Sequence, residues 1–182
     1  MEQSAGCGAD HLVPEPSLTW LRFYDGLLGD FLDNCLPSHA TTEVPLRWLR
    51  TLMSVNKDID ALPLAMSALA VSWAGHVRGN DNLVNQGLQI YSFASSKLRA
   101  EHPYPGQTQF LATTVLLALY ELFEFGDESN KGWICHAAGI TTALRTLKPE
   151  GVTEPLCLEI FLFVRTIASK TEEQHVQLPY PG

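Results

Sequence analysis

The stretch that decides the fold is TQFLATTVLLALYELFEFGDESNKGWICHAAGITTALRTL, which runs from Thr108 to Leu147. Only four polar residues interrupt the run from Phe110 to Phe125, namely Thr113, Thr114, Glu121 and Glu124. A helix that is apolar around its whole circumference is typical of a buried central element. We therefore predict a buried helix here, with other elements of the chain packed around it.

The second half of this stretch predicts another helix, which begins near Trp133 after Gly126 and the polar residues 127–131. Five residues recur at spacings of three and four and so share one face: Trp133, His136, Ile140, Leu144 and Leu147. The two helices form a helical hairpin with an apolar interior. Glu121 and His136 are the two polar residues expected inside it.

The length and the amino-acid composition of the chain indicate one globular domain. The chain has 182 residues, of which 46% are hydrophobic and 18% charged, enough for a single core. The net charge of −8 argues against direct nucleic-acid binding, because phosphate contacts need clustered Lys and Arg. A mean hydropathy of +0.01 argues against a membrane protein. The central helix is also too short, and too charged at Glu121 and Glu124, to span a bilayer.

The four cysteines are scattered as Cys7, Cys35, Cys135 and Cys157, without a C-x-x-C motif. This spacing disfavours a zinc site and a disulfide framework. The polar N-terminus lacks the apolar core of a secretory signal. We therefore expect an intracellular protein, nuclear or cytoplasmic, with reduced thiols, no metal and no cofactor.

The remaining pattern predicts an all-α fold without strands. About seven antiparallel helices are expected, in a bundle or a short stack of helical hairpins. Pro37, Gly79, Pro103 and the KPEG segment at 148–151 separate them. We assign residues 1–16 to a flexible N-terminal arm, 17–172 to a single helical domain and 173–182 to a C-terminal tail.

Several motifs resemble the regulatory middle-homology domain of fungal zinc-cluster transcription factors. The most specific are LLALYELFEF at 116–125 and W-x-x-H-x-x-G-I at Trp133, His136, Gly139 and Ile140. Weaker matches are the ALA at 68–70, followed by Gly79, Tyr91 and Leu98. The resemblance spans roughly residues 62–165 and implies a helical module that regulates activity, mediates association or receives a small-molecule effector.

The chain departs from that family in two respects. The family's DNA-binding module uses six closely spaced cysteines to hold two zinc ions, whereas this chain has four scattered ones. The family's helical domain is also longer than the matching segment. The resemblance therefore implies a regulatory module without its own DNA-binding domain, which binds a small apolar metabolite or a protein partner.

The candidate catalytic residues are Glu121 and His136, under the interpretation that the chain is an enzyme. A buried carboxylate beside an imidazole can move a proton on a bound metabolite. The same pair is more simply a tie between two helices, because buried polar groups normally find partners, and the resemblance favours that interpretation. The candidate ligand-binding residues are Trp73, His76, Tyr91, Tyr120 and Trp133.

Two alternative functions remain open beside the regulatory module. One is a cofactor-free isomerase or cyclase of fungal secondary metabolism that uses an aromatic-lined pocket between helices. The other is a dimerisation subunit, because apolar surface is expected where the rest of the longer family domain would pack. A homodimer is therefore among the partners that we expect.

Overall fold

The computed structural model describes residues 18–35, 47–54, 60–100, 108–125, 130–146 and 154–176. Across these ranges the chain forms seven α-helices and no strand, which confirms the all-α prediction. The helices are α1 (Leu18–Cys35), α2 (Arg47–Ser54), α3 (Ala61–Arg78), α4 (Asp81–Ala100), α5 (Thr108–Phe125), α6 (Asn130–Thr146) and α7 (Pro155–Val176). The predicted N-terminal arm and residues 177–182 of the predicted tail lie outside the described residues, whereas 173–176 belong to α7.

A two-residue turn joins α3 to α4. Gly79 has φ +60°, a left-handed conformation that glycine adopts without steric cost, and it ends α3. Its N–H donates to the carbonyl of His76, at 3.2 Å. The Asn80 side chain then accepts from the N–H of Asn82, at 3.1 Å, and so caps the start of α4. The chain therefore reverses direction within two residues.

Two glycines let α3 and α4 pack closely as an antiparallel hairpin. A Cβ on Gly75 would lie 2.7 Å from Val84, and one on Gly87 would lie 2.8 Å from the Cβ of Ser72. Gly75 contacts Val84, and the later residue Gly87 of α4 contacts the earlier residue Ser72 of α3. Contacts in this order are typical of antiparallel helices. Side chains larger than hydrogen at these positions would force the helices apart.

Helix α5 is the central element, and it packs against α3, α4, α6 and α7. Its residues from Thr108 to Tyr120 are buried, with the exception of two partly exposed positions. The prediction of burial along the whole helix is wrong for the last turn, where Phe123 and Phe125 are exposed. In that turn Glu121 bonds to α4 and Glu124 to α3, and the exposed Phe123 ring contacts His76 of α3 edge to face, with centroids 5.5 Å apart.

Helix α6 packs on α5 as the second half of the predicted hairpin. A Cβ on Gly139 would lie 3.2 Å from the Thr114 methyl group, and Ile140 is buried against α5. The helix begins at Asn130, three residues earlier than predicted. The Trp133 side chain and Leu147 lie outside the described part of the chain.

The outer helices close the core on its other sides. Phe31 on α1 contacts Trp73 on α3 edge to face, with ring centroids 5.8 Å apart. Trp48 on α2 packs on Phe163 of α7, at 5.5 Å. No helix in the described ranges is long and apolar enough to cross a membrane.

Candidate functional site

Three helices meet at the hydroxyl group of Tyr91. This hydroxyl, on α4, donates a hydrogen bond to the Glu121 carboxylate of α5. It also lies 3.0 Å from Nε2 of His136 on α6. We refer to these three side chains, Tyr91, Glu121 and His136, as the Tyr91 node.

The direction of the hydrogen bonds in the Tyr91 node follows from proton counting. An ionised carboxylate only accepts, so the Tyr91 proton points to Glu121. The bond between Tyr91 and His136 then needs a proton from the imidazole. His136 therefore carries a proton on Nε2, a tautomer assigned from the network. The chain runs from the imidazole N–H through the phenol O–H to the carboxylate.

Burial sets the charge state of the Tyr91 node. Desolvation lowers the pKa of His136 below its ordinary value of 6.5, although the negative charge of Glu121 acts in the opposite direction. Desolvation also raises the pKa of Tyr91, and the hydrogen bond to Glu121 raises it further. At neutral pH the node therefore contains a neutral imidazole and a protonated phenol.

Tyr120 lies against the node through its ring. The Tyr91 and Tyr120 rings stack with centroids 4.5 Å apart and an interplanar angle of 12°. The Tyr120 hydroxyl is buried without a hydrogen bond of standard geometry. Burial raises the pKa of this phenol, the charge of Glu124 raises it further, and the nearby Ser72 hydroxyl acts in the opposite direction.

A second polar cluster lies one turn further along α5, between α5 and α3. We refer to its members, Ser72, His76 and Glu124, as the Glu124 cluster. The Ser72 hydroxyl donates to Oε1 of Glu124, and Nε2 of His76 lies 3.0 and 3.1 Å from the two carboxylate oxygens. The Glu124 side chain is only 9% exposed, whereas that of His76 is 49% exposed.

The Glu124 cluster does not have the order of a nucleophilic triad. In such a triad the imidazole lies between the hydroxyl and the carboxylate and takes the hydroxyl proton. Here Glu124 lies in the middle, and Ser72 and His76 each bond to it separately. Ser72 is also fully buried. The cluster therefore acts as a polar tie between α3 and α5.

The structure brings together most of the residues that the sequence singled out. Glu121 and His136 meet at Tyr91, with Tyr120 stacked beside them. His76 belongs to the neighbouring Glu124 cluster. Trp73 instead packs on α1, and the Trp133 side chain lies outside the described residues.

The sequence alone does not identify Ser72 and Glu124 as members of a polar cluster, although each residue carries a signal. Ser72 is the one hydroxyl in the apolar run LAVSWAG, at 69–75. Glu124 follows Glu121 by three residues, so both carboxylates lie near one face of α5. Pairing them required knowing that α3 crosses α5 at this turn.

Among the described residues no group of three or more His, Cys, Asp and Glu side chains is placed to hold a metal ion. Comparison of the chain with protein-family models, with curated proteins and with solved structures finds no match in any of the three. The chemistry available at this site is that of a hydrogen-bonded relay of imidazole, phenol and carboxylate.

Proposed function

We propose that this chain is a helical regulatory module of the type that fungal zinc-cluster factors contain, and that it does not itself contact DNA. It would act by binding a small apolar metabolite or a protein partner. Support comes from one observation: residues that carry the resemblance are the ones that join the helices. Tyr91, Glu121 and His136 form one node, and Gly139 allows α6 to approach α5.

The packing role of these residues favours a regulatory module over an enzyme. Each side chain of the Tyr91 node bonds to another member of the node, as expected where half-buried polar side chains join helices. A motif that serves helix packing is a property of a shared fold, and a shared fold can carry many functions. A module of this type needs a rigid core and a surface for binding.

Native mass spectrometry of the purified chain in a metabolite extract tests the regulatory proposal. If the chain binds a metabolite, we expect a compound from the extract to remain bound to it with an unchanged mass. If the chain binds a protein instead, we expect a complex to form only when that protein partner is present. Conversion of a compound into a product of equal or related mass would contradict the proposal. Tight sequence-specific DNA binding by the chain in a gel-shift assay would contradict it as well.

The second candidate is a cofactor-free isomerase or cyclase that acts on an apolar substrate. The observation that favours it is the relay of hydrogen bonds from His136 through Tyr91 to Glu121. A neutral imidazole in a half-buried position can exchange a proton with a bound substrate near neutral pH. Tyr91 and Glu121 would then hold the ring in one orientation.

Two single substitutions separate these candidates: Glu121→Gln and His136→Gln. If the chain is an enzyme, each variant keeps its helical circular dichroism and loses turnover of the compound found in the extract. If the node is a structural tie, each variant loses stability. Arg99→Gln is the matched control, because this exposed residue of α4 lies outside the Tyr91 node and the Glu124 cluster and should leave any turnover unchanged.

A further inference from the structure

We draw no further inference here: the strongest candidate, the exposed apolar side of α7 at Leu158, Phe161 and Leu162, carries none, because nothing in the described part of the structure shows what covers it.

Discussion

At the scale of single residues, the two stacked tyrosines differ in what their hydroxyl groups do. The Tyr91 hydroxyl bonds to Glu121 and His136, whereas the Tyr120 hydroxyl is buried without a bond of standard geometry. Tyr91→Phe should therefore lower the free energy of unfolding by about 1–3 kcal/mol, because it leaves two half-buried polar groups without their shared partner. Urea unfolding followed by circular dichroism measures this change.

Tyr120→Phe is the control for that experiment, since it removes a hydroxyl from the same stacked pair. We expect its effect to be small or stabilising, because the lost group made no hydrogen bond that offset its burial. Equal losses in the two variants would mean that ring packing, and not the hydrogen bonds of Tyr91, holds α4 to α5 and α6.

His136 should make the stability depend on pH. Because burial lowers its pKa in the folded state below 6.5, the unfolded chain binds more protons than the folded chain in the range beneath that value. The share of stability that His136 contributes is present above that value and is lost as the pH falls through the folded-state pKa. Glu121 limits the loss, because its charge favours the imidazolium form.

The measurement for His136 is the free energy of unfolding of the wild type and of His136→Gln, from about pH 8 to about pH 5. The difference in free energy of unfolding between the two proteins should decrease as the pH falls. The contributions of titratable groups that both proteins share cancel in this difference. A difference that stays constant, or that grows toward acid, would show that the imidazole is not held neutral by burial.

Polar residues within apolar runs were the part of the site that the sequence could predict. Glu121 and His136 stood out because each interrupts an otherwise apolar face. The position of Tyr91 between Glu121 and His136 could not be predicted, because it depends on the register of α4 against α5. The periodicity of apolar residues within one helix carries no information on that register. For the same reason the sequence suggests Trp73 as a ligand-binding residue, whereas the structure packs its ring against Phe31 of α1.

At the scale of helices, Gly87 controls how closely α3 and α4 approach. Gly87→Ala would bring a methyl group to 2.8 Å from the Cβ of Ser72 and 3.1 Å from its backbone. The two helices would have to separate, at a cost of about 1–3 kcal/mol. Because Ser72 also donates to Glu124, the contact between α3 and α5 should weaken in the same variant.

Gly26→Ala on α1 is the matched control, since a Cβ there meets no atom within 4 Å in the described structure. It should stabilise the chain by about 0.5–1 kcal/mol through helix propensity. Thermal unfolding of both variants gives the comparison. Stabilisation by Gly87→Ala would show that the α3–α4 hairpin is looser than these distances indicate.

Helix positions followed from the sequence more closely than helix contacts did. Gly79 and the apolar run of α5 carry local signals, the first through a left-handed turn and the second through composition. The exposed last turn of α5 was not predicted, because the aromatic residues Phe123 and Phe125 look like core residues in sequence. Their exposure depends on where the neighbouring helices end, which is a property of the assembled fold.

At the scale of the whole molecule, α5 contributes to the apolar core and to two polar clusters that connect it to neighbouring helices. The Tyr91 node connects it to α4 and α6, and the Glu124 cluster connects it to α3. At its other end Thr108 donates to Glu154 and connects it to the start of α7. A change at any of these sites therefore affects several helices, because each of these contacts involves α5.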